Sequence, residues 1–148
     1  MGTSLSYKTM APVSEPARQR VVDYLESESD GREWWAESII LFDNPEAPGH
    51  ICGDTKLFCL LDDDDAADCW MAMQDAAFIV ERLESASRDH GISWELFLAG
   101  EPAGKILNGE RDEVVAQMLA SFDLIADVEH VDFSQYDRES LLRRYPDR

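Results

Sequence analysis

The chain has 148 residues, of which 31 are Asp or Glu and 13 are Lys or Arg, so its formal net charge is −18. A surface this negative repels the phosphates of nucleic acids and anionic lipids, and it attracts basic proteins over long distances. Because 45% of the residues are hydrophobic and four are Trp, the composition excludes a disordered acidic chain and fits one folded domain.

No segment approaches the roughly 20 apolar residues that a membrane span requires, and residues 1–30 contain no apolar stretch typical of a secretory signal. The three cysteines, Cys52, Cys59 and Cys69, are odd in number and lack CxxC spacing. Such cysteines are typical of reduced side chains packed in a core. We therefore expect a cytoplasmic protein with no metal site and no cofactor.

The N-terminal third predicts a leader, a helix and a strand. Residues 1–13 show no apolar periodicity and include Pro12, which predicts a flexible leader before a single domain over residues 14–148. Ser14 is a candidate N-cap, and the apolar residues after it recur at helical spacing until Gly31. Residues 33–43 alternate between two faces, which predicts a strand, and residues 55–61 are its expected antiparallel partner.

The rest of the chain alternates between helices and strands. The longest helical pattern follows four aspartates at positions 62–65 and ends at Gly91. Glu84 and Arg88 are spaced i, i+4 on this helix, which predicts an ion pair on its solvated face. Residues 92–99 and 105–107, joined by a Gly-containing turn, predict a second hairpin. Further patterns predict a helix over residues 110–122, a strand over 124–131 and a helix over 137–145.

The order of these elements predicts an α+β fold. We expect a mainly antiparallel sheet of four or five strands, covered by helices, in a single domain.

One segment resembles the start of a phosphate-binding loop. Residues 99–105 match the first seven of the eight positions in the pattern A/G-x-x-x-x-G-K-S/T. Ile106 stands where such a loop needs a hydroxyl to hold magnesium, and the residues after it look extended where the loop needs a helix. A Gly-bounded hairpin turn is therefore the favoured interpretation.

Two further groups of residues contain side chains that are typical of metal or catalytic sites. A twelve-residue calcium loop starting at position 62 would place Ala67 at the hinge glycine and Met73 at the bidentate ligand, which excludes an EF-hand. Weak cation binding stays open beside the favoured role of these aspartates in a first helical turn. His50, Cys52 and Asp54 lie close in sequence, but no third group orients them, so we predict no catalytic residue.

The adjacent tryptophans Trp34 and Trp35 fall on opposite faces of the predicted strand over residues 33–43. A sheet covered on one side only would expose one indole beside Glu33 and Glu37, where it would suit a basic partner. Burial under the N-terminal helix is the favoured interpretation of these tryptophans. The predicted partner-binding residues are Trp34, Trp35, Glu37, Asp62, Asp63, Asp64 and Asp65.

These observations favour a non-enzymatic binding protein whose acidic surface docks a basic protein partner, in the manner of small immunity-like inhibitors. The alternative is an enzyme or a small-ligand-binding domain with a pocket between helix and sheet, using carboxylates such as Asp54, Glu95 or Glu101. The charge disfavours nucleic-acid binding, and the hydropathy disfavours membrane association. The oligomeric state stays open.

Overall fold

The computed structural model describes residues 3–57, 66–121 and 132–143. Within these residues six strands form one antiparallel sheet with four α-helices, which confirms the α+β prediction with slightly more strands than expected. No helix in this part of the chain is long and apolar enough to cross a membrane. The elements are β1 (Ser4–Thr9), α1 (Glu15–Asp30), β2 (Ile40–Phe42), β3 (Cys52–Lys56), α2 (Ala66–His90), β4 (Trp94–Leu98), β5 (Glu101–Leu107), β6 (Glu110–Arg111), α3 (Glu113–Ala120) and α4 (Arg138–Arg143).

The first strand, β1, lies in the middle of the sheet. The strand order is β2-β3-β1-β4-β5-β6, and β1 pairs with β3 on one side and with β4 on the other. Leu5, Tyr7 and Thr9 are buried, whereas the residues between them are half-buried. The prediction of a flexible leader is therefore wrong for residues 4–9. Six alternating residues make a weak local pattern, and the strand is held by partners far along the chain.

β1 and β3 approach closely where Tyr7 lies over Gly53. A Cβ at Gly53 would lie 2.1 Å from a ring carbon of Tyr7, so only glycine leaves room for this ring. The Tyr7 hydroxyl lies 2.9 Å from Oγ1 of Thr55, whose hydroxyl donates to the Ser38 carbonyl. Burial raises the pKa of Tyr7 above its usual value. Tyr7 is therefore a neutral core residue that links two strands by packing and hydrogen bonding.

Two tight turns build the other half of the sheet. Ala99 and Gly100 have φ values of 53° and 83°, and Asn108 and Gly109 have values of 54° and 82°. Positive φ at both central residues is typical of type I′ turns, which here join β4 to β5 and β5 to β6. Residues 101–107 are therefore a strand, and the segment that resembles a phosphate-binding loop is a hairpin, as predicted.

The strand predicted over residues 33–43 is reduced to β2, which covers only its end. Residues 34–36 lie outside the sheet and turn towards α2, whereas the backbone N–H of Glu37 donates to the Lys56 carbonyl of β3 at 2.9 Å. The predicted partner strand begins earlier than expected, at Cys52, and its described part ends at Lys56. The strand predicted over residues 124–131 lies outside the described residues.

The long helix α2 packs against α1, β5 and β6. The predicted i, i+4 ion pair between Glu84 and Arg88 is wrong, because Glu84 pairs with Arg111 of β6 instead. Glu84 accepts hydrogen bonds from the Arg111 backbone N–H at 3.0 Å, from its Nε at 3.1 Å and from its Nη2 at 2.9 Å. A strand residue that offers three donors outcompetes a single neighbour on the helix.

α3 is fixed to β5 through its N-cap, Asp112. Oδ1 of Asp112 accepts from the backbone N–H of Val115 at 2.9 Å, and Oδ2 accepts from that of Lys105 at 3.0 Å. Gly104 lies directly beneath this cap with φ +103°, and a Cβ there would lie 2.5 Å from Oδ1 of Asp112 and 2.6 Å from the Val115 nitrogen. A side chain at Gly104 would therefore push the start of α3 away from the sheet.

We expect Gly104→Ala to lower the free energy of unfolding by about 2–4 kcal/mol, since it adds overpacking to left-handed backbone strain. Gly100→Ala is the matched control, because Gly100 also has positive φ but its Cβ would meet nothing within 4 Å. The control should lose only about 1 kcal/mol, from the backbone alone. Urea unfolding followed by Trp fluorescence measures both values, and equal losses would show that α3 adjusts freely.

Candidate functional site

A fully buried carboxylate, Asp75, lies in the described part of α2 with no exposed surface. Its helix neighbours Met71, Ala72, Ile79 and Val80 are also buried, so the carboxylate lies among apolar side chains. An ionised carboxylate in such surroundings is strongly destabilising unless charges and hydrogen-bond donors surround it.

Asp75 accepts five hydrogen bonds from two parts of the chain, residues 32–36 and Arg138. Oδ1 accepts from Nε and Nη2 of Arg32 at 3.1 and 2.8 Å and from Nη2 of Arg138 at 2.7 Å. Oδ2 accepts from the backbone N–H groups of Trp35 and Ala36 at 3.0 and 2.7 Å. The carboxylate thereby joins α2 to α4 and to the segment that follows α1.

The Arg138 guanidinium bonds to two further acceptors besides Asp75. It donates to Oε1 of Gln74 at 3.1 Å and to the backbone carbonyl of Glu33 at 2.7 Å. Burial lowers the pKa of Arg138, the Asp75 charge opposes that shift, and the like charge of Arg32 adds to it. Arg138 stays charged at any ordinary pH, but its burial removes part of the water that would hydrate the guanidinium.

Aromatic rings flank the Arg32 guanidinium. Its Cζ lies 4.4 Å from the centre of the Phe78 ring and 5.4 Å from that of Trp34, at the range of cation–π contacts. Trp34 packs edge-on against Phe78 and donates its indole N–H to the Ser29 carbonyl at 2.9 Å. A surface cleft of about 360 Å³ lies beside these side chains. It is lined by Gly31, Arg32, Glu33, Phe78, Arg138, Glu139 and Leu142.

Of the two alternatives for the indoles, exposure is wrong for Trp35. Trp35 is only 1% exposed and belongs to the core, so it offers no surface to a partner. Trp34 is half-buried against Phe78. The reason is that the N–H groups of Trp35 and Ala36 bond to Asp75, which holds these two residues against α2 and outside the sheet.

The remaining predicted partner-binding residues are polar. Glu37 is half-buried at the edge of the sheet, where its Oε1 accepts from the backbone N–H of Lys56 at 3.3 Å. The four aspartates at positions 62–65 lie outside the described residues.

The structure also reveals a carboxylate surface on α1 that the sequence analysis did not single out. Asp23, Glu26 and Asp30 are all exposed, and their i, i+3, i+7 spacing places them on one face of the helix. Gln19 donates to Asp23 at 2.8 Å. We call Asp23, Glu26 and Asp30 the α1 acidic face.

The residues considered for metal binding or catalysis serve structural roles. Nδ1 of His50 lies 2.7 Å from the Thr9 carbonyl, and Cys52 is buried with its pKa raised by desolvation, so no thiolate nucleophile is prepared. Asp54 accepts from Ser6 at 2.7 Å. Within the described residues no group of three His, Cys, Asp or Glu side chains is arranged to hold a metal ion.

The carboxylates weighed for the enzyme alternative do not meet in one pocket, because Glu95 and Glu101 line two different clefts beside α3. Asp54 and Glu95 lie at strand positions that alternate with the buried ones, on the face turned away from the core. Glu95 pairs there with Lys8 at 3.6 Å. Glu101 is exposed at the start of β5.

Comparison of the chain with protein-family models, with curated proteins and with solved structures finds no match. The residues themselves therefore carry the functional argument.

The buried carboxylate was missed by the sequence analysis, although a signal for it exists. Asp75 falls on the same helix face as Ala72, Ala76 and Ile79, so it is a charge inside an apolar stripe. Such a position demands a buried cation. The chain has 31 acidic residues. Asp75 indicates a buried ion pair because it interrupts an apolar helix face.

We expect Asp75→Ala to lower the free energy of unfolding by about 3–5 kcal/mol, because it leaves two guanidiniums and two backbone N–H groups without their acceptor. Asp89→Ala is the matched control, since Asp89 is exposed on the same helix, and it should change stability by no more than about 0.5 kcal/mol. Urea unfolding measures both. A loss for Asp75→Ala as small as that of the control would show that the network contributes nothing to stability.

Proposed function

We propose that the protein is a non-enzymatic binding protein that docks a basic protein partner, as small immunity-like inhibitors do. The observation that carries this proposal is the α1 acidic face, where Asp23, Glu26 and Asp30 point to solvent on one side of the helix. Within the described residues no salt bridge engages any of the three carboxylates.

The position of these carboxylates favours recognition over stability. The C-terminal end of a helix carries a partial negative charge, so an acidic side chain there is unfavourable by about 0.3–1 kcal/mol. Asp30 is the last residue of α1, and the last turn of that helix contains no basic residue. A charge arrangement that weakens the helix is better explained by an external cation than by folding.

The overall charge supports the same proposal. A net charge of −18 speeds the approach of a basic protein and opposes binding to nucleic acids, whose phosphates carry the same sign. The aspartates at positions 62–65, which lie outside the described residues, are also proposed contacts of the basic partner. We also propose that the protein is cytoplasmic, since its buried Cys52 is a free thiol and a reducing compartment preserves such a thiol.

The test uses the basic protein that the chain retains from an extract of its own cells, purified and measured in kinetic binding experiments. We expect the triple variant Asp23→Lys, Glu26→Lys, Asp30→Lys to lower the association rate constant by about tenfold or more at low salt, because it removes the steering charge. High salt should remove most of this difference, since it screens the charges.

The matched control is Asp89→Lys, Glu101→Lys, Glu110→Lys, which makes the same change in net charge at other exposed positions. It should slow association only about twofold, through the overall field. Equal effects of the two triple variants would contradict a recognition role for the α1 acidic face. The absence of any retained basic protein, or association that is insensitive to salt, would contradict the proposed function itself.

A further inference from the structure

Residues 132–143, which we call the C-terminal strap, dock on α2 through three side chains. Arg138 bonds to Asp75, Tyr136 packs edge-on against Trp70 with ring centres 5.4 Å apart, and Leu141 is buried. The strap thus presents one cation and two apolar groups to α2. Its helix α4 also supplies Arg138, Glu139 and Leu142 to one wall of the 360 Å³ cleft.

The acceptors around the Arg138 guanidinium form a defined site. Nη1 donates to Oε1 of Gln74, and Nη2 donates to Oδ1 of Asp75 and to the Glu33 carbonyl, all within 3.1 Å. We call these three acceptors the arginine site. They match the planar fork of a guanidinium, whereas a lysine ammonium would act on them only as a point charge.

The arginine site stays assembled without Arg138. Asp75 would still accept two hydrogen bonds from Arg32 and one each from the N–H groups of Trp35 and Ala36. The buried carboxylate would therefore remain paired with one cation and bonded at both oxygens. Arg32, which lies one residue before Glu33, holds the site in place, and Arg138 is the occupant that can leave.

The docking of Arg138 is opposed by two effects. The guanidinium loses hydration on burial, and it shares Oδ1 of Asp75 with the like charge of Arg32. Its side chain is also still 22% exposed, so it lies at the rim of the core and not at its centre. These effects weaken the hold of the strap on α2 and make its arginine replaceable.

The arginine site adjoins the α1 acidic face along the chain. Asp30, the last residue of α1, is separated by two residues from Glu33, whose carbonyl is one of the three acceptors. A basic protein that contacts Asp30 therefore reaches the chain three residues before an acceptor of the arginine site. Charge complementarity and position both point to the same occupant.

We propose that the arginine site accepts an arginine side chain of the basic partner in place of Arg138, so that the C-terminal strap is an internal occupant which the partner displaces. The identity of the occupant as a partner side chain rests on the proposed function. The ability of the site to bind a guanidinium from solution does not rest on the proposed function.

The first experiment tests the site with methylguanidinium. Arg138→Ala empties the site, and the backbone amide signals of Trp35 and Ala36 report on it because both groups donate to Asp75. Titration into Arg138→Ala should give saturable amide shifts with a dissociation constant on the order of millimolar. Methylammonium at equal concentration should give none, since it lacks the planar fork.

Arg143→Ala is the matched control, because it removes the same charge from an exposed position of the same helix. In this variant Arg138 still fills the site, so methylguanidinium should cause no saturable shift. Saturable shifts in the control, or their absence in a folded Arg138→Ala protein, would overturn the proposal. Arg138→Lys, which keeps the charge but not the fork, serves for the same titration if the alanine variant does not fold.

The second experiment measures affinity for the basic partner. Arg138→Ala should bind the partner about three- to tenfold more tightly than the natural chain, because the competing internal occupant is gone. Arg143→Ala should bind as the natural chain does. Equal affinity of the two variants would overturn displacement of the strap. The failure to find any basic partner would contradict the proposed function, while the methylguanidinium result would still decide whether the site accepts a guanidinium.

Discussion

The carboxylate of Asp75 is the interaction on which the rest of the structure depends. A charge removed from water costs several kcal/mol after relaxation, so it can persist only where cations and donors converge on it. Here the convergence determines the path of the chain. The segment after α1 must bring Arg32, Trp35 and Ala36 to α2, and the segment containing Arg138 must reach the same point. One side chain thereby sets the positions of three parts of the molecule.

This constraint also separates the proposed recognition surface from the core. Because Trp35 is drawn inwards by its N–H bond to Asp75, the aromatic residue that suits an interface becomes a core residue. The proposed surface then consists of carboxylates on α1 and of the guanidinium pair Arg32 and Arg138 at the cleft. Under the proposed function, a partner is selected by charge and by the geometry of arginine.

The elements predicted correctly from the sequence are those with local signals. Ser14 and Gly31 flank the two ends of α1, Gly91 ends α2, and the turn at Gly100 defines a hairpin. In contrast, β1 depends on partners about 50 and 90 residues away, which no local pattern records. β6 has only two residues, and its one signal was Asn108-Gly109, a dipeptide typical of type I′ turns. The class of fold was therefore predictable, although its central strand was not.

The candidate site was less predictable than the fold, for a physical reason. Alternation over residues 33–43 favours a strand, but hydrogen bonds to a distant carboxylate override that local preference. Composition reveals an acidic surface, but it does not distinguish the buried Asp75 from thirty other acidic residues. Only the position of Asp75 within an apolar helix face distinguishes it from the others.

The central position of β1 has a consequence for how the protein is made. β1 is synthesised before both of its neighbours, since β3 ends at Lys56 and β4 at Leu98. During translation one edge of β1 can pair once β3 has left the ribosome, whereas the other stays unpaired until β4 has followed. Contacts of such long range also slow folding, because loop closure precedes any gain from pairing. A nascent chain of this kind exposes an unpaired strand edge for several seconds at ordinary rates of synthesis, and it is then that the molecule is most open to misassociation or to a chaperone.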